Sequence, residues 1–375
     1  MSDPIYLDYQ ATTPLAPDAL AAMMPWLDPG FANPHSPHKP GRAAHAAVEL
    51  ARDQVATALA QSGGRLLFTA GATEAANIAL QGAMLAAPEG RDKIVTIATE
   101  HACVRDTALW LGTRGYEWVL LPVDADGLVD LDAAAAEIDD RTALVAAMLV
   151  NNEIGVIQPV EALSALARAQ GALFFCDAVQ GFGRVALPAG VCDMIALSAH
   201  KVHGPKGVGA LWLADRIAIA PVLHGGGQEG GLRSGTLSPA LCAGFGAAAA
   251  LMAERREADA AHVAMLRDRL LTDFAGWTLN GAREPRYAGN LNLRRPGLDA
   301  ARLISEVREV AFSAGSACAS GSGRPSHVLS AIGLTEAEAR GSIRLGFGRY
   351  TTAHEVDRAA GLIAEAAARQ DGLAA

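Results

Sequence analysis

Largely apolar runs and helically spaced stretches alternate over the first two-thirds of the chain. The short runs fall at 66–69, 93–97, 117–121, 143–150, 172–176, 194–197 and 208–213. Helical spacing occupies 41–60, 72–87, 104–114, 131–138 and 160–170. A run with no polar face fits a strand buried on both sides. Helices between such strands predict a mostly parallel sheet covered on both faces, an α/β fold. The Gly-rich segment 224–235 breaks this rhythm, and a long helical pattern follows at 239–274. That length predicts a bridge between domains rather than a connector. Beyond it, short strands at 290–293 and 342–347 mix with helices at 299–307 and 354–369, which reads as a smaller α+β domain. The first dozen residues are expected to pack on that domain. The predicted division is a large domain, 14–250, and a small one made of 1–13 plus 251–375.

Composition narrows the function. The chain has 375 residues, 51% hydrophobic and 19% charged, which is enough to bury a core and excludes a mainly disordered chain. Lys+Arg is 31 and Asp+Glu is 40, giving −9 with no basic block. That argues against nucleic acid or an anionic membrane as partner. No apolar run reaches the roughly 18 residues a spanning helix needs. The first residues show neither a basic n-region nor an apolar h-region, so the cytoplasm is expected. Five cysteines, Cys103, Cys176, Cys192, Cys242 and Cys318, are widely spaced with no Cys-x-x-Cys. Neither a disulfide framework nor a metal site is predicted.

The candidate chemistry gathers at predicted strand ends. Ser198-Ala199-His200-Lys201 places a lysine where burial would lower its pKa and let it form a Schiff base with an aldehyde cofactor. Ser198 and His200 on the same turn could donate to a phosphate. Gly71-Ala72-Thr73-Glu74 is a glycine turn into a helix, whose free N–H groups and Thr73 hydroxyl make an anion cradle. Asp177 leaves another buried strand and could pair with a protonated pyridine nitrogen. His101 could stack on a planar cofactor, and Asn152 could reach a cofactor hydroxyl or a substrate carboxylate. Cys318, in Gly315-Ser316-Ala317-Cys318-Ala319-Ser320-Gly321, has no apolar periodicity around it and reads as an exposed thiol, a nucleophile or sulfur carrier. The other four cysteines sit in apolar or helical contexts and read as inert. Arg344, inside a strand, could hold a carboxylate bidentately.

Each feature has an ordinary reading alone: a loop lysine, a helix cap, a turn residue, a surface ion pair. Together they supply what a pyridoxal phosphate site requires: an imine lysine, a phosphate cradle, a carboxylate for the ring nitrogen and a ring to stack on it.

The chain also resembles the cysteine desulfurases, within the class V aminotransferase group of pyridoxal phosphate enzymes. The resemblance runs from Tyr6-Leu7-Asp8-Tyr9-Gln10-Ala11-Thr12-Thr13-Pro14 to Ser342-Ile343-Arg344. Between them stand Gly71-Ala72-Thr73-Glu74, Asn151-Asn152-Glu153-Ile154-Gly155, Ser198-Ala199-His200-Lys201, Arg233-Ser234-Gly235-Thr236 and Gly315-Ser316-Ala317-Cys318. Such a set is far more specific than any one motif. The resemblance implies the fold type I architecture of these pyridoxal-phosphate-dependent transferases. It implies that Lys201 holds the cofactor as an internal aldimine and shuttles protons. His101 would stack on the ring and act in proton transfer, and Asp177 would keep the ring nitrogen protonated. Gln180 would bond the ring oxygen. Ala72, Thr73, Ser198 and His200 would hold the phosphate, with Asn152 also against the cofactor. Thr236 would reach the phosphate of a second subunit, which implies a homodimer. Arg344, Asn152 and Asn33 would bind the substrate carboxylate. Cys318 would take sulfur from L-cysteine as a persulfide, leaving L-alanine. Its loop looks like the longer, mobile version of the branch that hands sulfur to iron–sulfur scaffold proteins or to thio-modification. A selenocysteine lyase or a related C–S lyase is the alternative, followed by a non-catalytic sulfur carrier and a transaminase on the same fold.

Overall fold

The computed structural model describes residues 4–315 and 326–371. A two-residue strand, β1 (Ile5–Tyr6), precedes helices α1 (Pro17–Leu27) and α2 (Lys39–Leu59). Strands and helices then alternate: β2 (Gly64–Thr69), α3 (Ala72–Leu85), β3 (Lys93–Ile97), α4 (Ala102–Gly112), β4 (Glu117–Leu121) and α5 (Leu131–Glu137). They continue through β5 (Thr142–Met148), α6 (Val160–Ala169), β6 (Leu173–Asp177), β7 (Met194–Ser198) and β8 (Gly209–Ala214). The long helix α7 (Pro239–Asp273) leads into β9 (Thr278–Leu279), β10 (Asn290–Arg294), α8 (Ala300–Glu306), β11 (Val310–Ala311) and β12 (Ser313–Ala314). The last elements are α9 (His327–Ala331), α10 (Glu336–Arg340), β13 (Ser342–Gly346) and α11 (Ala353–Asp371).

The main sheet has the order β2-β8-β7-β6-β5-β3-β4. Its strands are parallel except β8, which runs antiparallel to both β2 and β7. The mostly parallel sheet read from the apolar runs is therefore present. Every residue of β5 is buried, because helices cover both faces. Alternate residues serve opposite cores. Val145, Phe174 and Ile195 pack with Val48 and Val55 of α2, Leu163 of α6 and Phe245 of α7. Their neighbours Leu144 and Phe175, with Leu211 of β8, pack with Ile78 and Leu80 of α3 and Val104 and Leu111 of α4.

A second, antiparallel sheet has the order β12-β13-β10-β9. Leu291 and Leu345 from it share a core with Val263, Leu266 and Leu270 of α7 and with Ile363 of α11. Helix α7 thus packs its first half on one sheet and its second half on the other. The N-terminal segment joins the small sheet's core. Strand β1 pairs in parallel with β11, Asp8 bridges to Gly346, and Ile5 and Leu7 are buried there. Thr13 then bonds back to the carbonyl of His200, at 2.9 Å from its N–H and 3.0 Å from its hydroxyl. The N-terminus therefore laces the small sheet to the lysine turn. Among the described residues no helix is long and apolar enough to cross a membrane.

Helix α1 was not expected from the pattern, and an internal Pro25 explains why its periodicity is hard to read. The two-residue strands β11 and β12 and the five-residue helices α9 and α10 are too short to leave a period.

Candidate active site

The C-terminal ends of the parallel strands converge on one cavity of about 790 Å³. This is the edge where open α/β sheets bind ligands. Strands β2, β3, β5, β6 and β7 each lead a different side chain to it, and the edge strand β4 leads none.

Strand β2 delivers the anion cradle. It turns at Gly71 into α3, whose first turn is capped by no side chain. The N-terminal N–H groups of α3, with Ala72 and Thr73, face the cavity, and an anion satisfies such orphan donors. Gly209 of β8 makes this turn possible. A Cβ there would stand 2.7 Å from the Cα and carbonyl carbon of Gly71. Ser198, at the end of β7, and His200 complete the wall. His200 Nδ1 lies 3.2 Å from Thr12 Oγ1. Burial, with the charges of Lys201 and Lys206, pushes the His200 pKa down to about 4, so the ring is neutral.

Lys201 closes a one-turn 3₁₀ helix after β7. Its Nζ donates to the carbonyls of Gln10 and Ala11 at 2.6 and 2.7 Å, which hold the amine in the cavity. Asp177 ends β6 and is 5% exposed. Its Oδ1 accepts the Val179 N–H at 2.9 Å. Burial raises its pKa, and the nearby charges of His101 and Lys201 oppose that rise. A cationic ring nitrogen beside it would restore the ionised carboxylate.

His101 follows β3 and caps α4. Its Nδ1 accepts the Cys103 N–H at 3.2 Å and lies 3.0 Å from Cys103 Sγ. Since Nδ1 accepts from a backbone N–H, the neutral ring carries its proton on Nε2. The preceding Glu100 is fully buried. Its Oε1 accepts the Met148 N–H at 2.5 Å, and burial raises its pKa well above the ordinary range. Gln180 reaches the cavity with its amide engaged on both atoms: Nε2 donates to the Gln10 carbonyl at 3.0 Å, and Oε1 accepts from Arg184 Nη1 at 2.7 Å.

The small sheet supplies the opposite wall. Arg344 stands in the middle of β13 between β10 and β12 and is 1% exposed. Its Nη2 donates to Asp8 Oδ1 at 2.6 Å and to Ser313 Oγ at 3.3 Å, and its Nη1 donates to the Asn152 carbonyl at 3.1 Å. Its Nε is buried with no partner among the described residues.

Ala72, Thr73, His101, Asn152, Asp177, Gln180, Ser198, His200, Lys201 and Arg344 are thus brought to one cavity. Asn33 and Thr236 do not line it. Both are exposed, and Asn33 Oδ1 accepts the His35 N–H at 2.9 Å. Cys318 lies outside the described residues. Sequence reasoning gave no role to Gln10, Glu100, Cys103 and Asp8, which position Lys201, the β5 end, His101 and Arg344. Cys103 read as an inert helical cysteine, yet it lines the cavity. Its place two residues after His101, in the first turn of a helix that begins at the sheet edge, was the available signal.

This donor set fits pyridoxal phosphate. An amine on a short tether, a buried carboxylate, an imidazole and an uncapped helix start with two hydroxyls correspond to its aldehyde, ring nitrogen, ring face and phosphate.

The family described as Aminotransferase class-V matches residues 5–359. A cysteine desulfurase IscS from Rickettsia akari (strain Hartford) is 42% identical over 369 residues, 96% of this chain and 90% of that protein. Among solved structures, a NifS-like protein superposes with a TM-score of 0.89 at 32% identity, covering 96% of this chain and 98% of that one. SspA, solved in complex with cysteine, superposes with a TM-score of 0.81 at 34% identity, covering 92% and 99%. The chain belongs to the class-V aminotransferase family, and its cofactor is pyridoxal phosphate.

Proposed function

We propose that the chain is a cysteine desulfurase that converts L-cysteine to L-alanine and a persulfide on Cys318. The observation that carries this is the meeting of Lys201, Asp177, His101 and Arg344 in one cavity. The 42% identity to a cysteine desulfurase and the likeness to a protein solved with cysteine support it.

Ala72, Thr73, Ser198 and His200 would hold the phosphate, Asp177 would pair with the ring nitrogen, Gln180 would bond the ring oxygen, and His101 would stack on the ring. When bound, the cofactor supplies an electron sink in conjugation with the substrate's α-carbon. Arg344 binds the substrate carboxylate, with Asn152 beside it. Lys201 Nζ takes the α-proton and returns a proton to carbon, and His101 Nε2 is the second group able to hold one. The Cys318 thiolate attacks the substrate sulfur. The S–S bond forms as the Cβ–S bond breaks, and the electron pair left on carbon takes a proton to give alanine. Cysteine plus thiol becomes alanine plus persulfide, so no external oxidant enters.

Thr236 belongs to this reading through a second subunit, where it reaches the partner's phosphate in a homodimer, and Asn33 joins Arg344 and Asn152 at the substrate carboxylate. The large unit spans 14–250, and the small unit, 1–13 plus 251–375, carries Cys318. The enzyme acts in the cytoplasm and passes its sulfur to an acceptor such as an iron–sulfur scaffold protein or a thio-modification enzyme.

The test is alanine formation from L-cysteine with excess reductant, for the wild type and Cys318→Ser in parallel. Alanine with matching sulfide, lost in the variant, supports the reading. No alanine from the cofactor-loaded wild type defeats it. Turnover of selenocysteine with almost none of cysteine would move the function to a selenocysteine lyase.

A further inference from the structure

A second cavity, of about 340 Å³, shares Lys201 with the first and is bounded by α7 and by the loops at the ends of β10 and β13. Four arginines line it, Arg184, Arg256, Arg286 and Arg349, against one carboxylate, Asp259. That carboxylate is already engaged. Arg349 holds it through Nε and Nη2 at 2.8 and 2.6 Å, and Arg255 lies 3.4 Å away.

No other carboxylate lines the cavity, and Glu284, whose charge acts on Arg286, stands outside its wall. Arg286 is 7% exposed and donates only to backbone carbonyls, those of Ala282, Asn280 and Asn290. Arg184 donates to Gln180 and to the Lys201 carbonyl and stacks 5.1 Å from the Tyr287 ring centre. Arg256 is exposed and makes no hydrogen bond or ion pair among the described residues. The Arg349 side chain is 5% exposed, and its Nη1 is buried with no partner. His203, also in the wall, is neutral at ordinary pH. Buried guanidinium groups are normally paired with a carboxylate or phosphate, so this lining lacks a negative group. Met252, Val263 and Tyr287 make the rest of the wall apolar, and the volume suits a small molecule.

We infer that this cavity binds a small organic anion, a carboxylate or phosphate group on an apolar body. The anion sits among Arg184, Arg256, Arg286 and the unpaired Nη1 of Arg349. Arg184 also bonds Gln180 and Lys201, so the occupant contacts a residue that touches the first cavity.

The test is calorimetric titration of the cofactor-loaded protein with benzoate, phenyl phosphate and inorganic phosphate at constant low ionic strength. Expected is one equivalent of benzoate or phenyl phosphate per chain, bound at least about tenfold more tightly than inorganic phosphate. Whichever organic probe binds better identifies the head group as carboxylate or phosphate. Arg256→Glu, an exposed change, should weaken binding at least about tenfold. Ser198→Ala, in the first cavity, should leave it unchanged. Three results would overturn the inference. One is no heat from either organic probe up to about 10 mM. The others are equal binding by Arg256→Glu and wild type, and loss of binding in Ser198→Ala.

Discussion

Arg344 and Asp8 lie 336 residues apart and share a hydrogen bond of 2.6 Å. The arginine is 1% exposed, the aspartate side chain 18%. Asp8 is held for this contact by the β1–β11 pair before it and by its own bridge to Gly346. It neutralises the guanidinium that the proposed function assigns to the substrate carboxylate, and it fixes the direction in which Nη1 and Nε point. Asp8→Asn keeps the shape and removes the charge. Breaking a fully buried ion pair costs about 3–5 kcal/mol, and solvent at Asp8 reduces that here. The expected result is a KM for L-cysteine raised about tenfold with kcat within about threefold, and a melting temperature several degrees lower. A lower melting temperature with KM unchanged would make the pair structural only.

Gly209 tests the proposed phosphate cradle without touching a polar group. Its missing Cβ lets β8 approach the Gly71 turn, and alanine there would press within 2.7 Å of backbone atoms that cannot step aside. Gly209→Ala should move the start of α3 and weaken cofactor binding about tenfold or more, read as the equilibrium affinity of apoprotein for pyridoxal phosphate. Unchanged affinity would show that the turn absorbs the methyl group.

The cavity's chemistry was legible because the strands that reach it end at or just before a candidate residue, and strands buried on both faces stand out as apolar runs. Strand ends at Asp177 and Ser198, and the glycine turn before Thr73, could be placed from that pattern alone. Arg344 could be placed on a strand but not beside Asn152, since a contact across 192 positions leaves no local period. Asp8, Gln10 and Arg184 were invisible as site residues for the same reason. Their role is to hold a neighbour's polar atoms, and only the folded chain shows which neighbour. Glu100 and Cys103 flank His101 in sequence and were still passed over. A carboxylate beside a strand end is ordinarily solvated, and a helical cysteine is ordinarily core.

His203 gives a pH dependence with a definite sign. It sits between Tyr9 and Tyr350, and its Nδ1–H donates to the Pro14 carbonyl at 3.0 Å. Burial lowers its pKa from 6.5 to about 4, with the bond to Pro14 working the other way and Arg349 and Arg184 assisting. Between those values the unfolded chain binds a proton that the folded chain refuses. Stability therefore rises with pH from about 4 to 6.5 and gains nothing further from this group above that, a span of about 3 kcal/mol. His203→Gln should remove this group's share of the slope, measured by urea unfolding between pH 4.5 and 7. Identical slopes for the two proteins would show that His203 titrates normally in the fold.

Two thiols compete in principle for the substrate sulfur, and the surroundings of Cys103 decide against it. Cys103 lines the first cavity, with its sulfur 3.0 Å from His101 Nδ1. Burial raises its pKa, more than the contact with His101 lowers it. A thiol that stays protonated is a poor nucleophile. Its useful contribution is instead the backbone N–H that orients His101, which alanine at this position also supplies. Cys103→Ala should therefore retain at least about a third of the activity, whereas Cys318→Ser should lose it by about a hundredfold or more. After one turnover without reductant, peptide mass spectrometry should find the added sulfur on the peptide holding Cys318. Sulfur on the Cys103 peptide in wild type, or a Cys103→Ala enzyme as inactive as Cys318→Ser, would make Cys103 the first acceptor and Cys318 a later station.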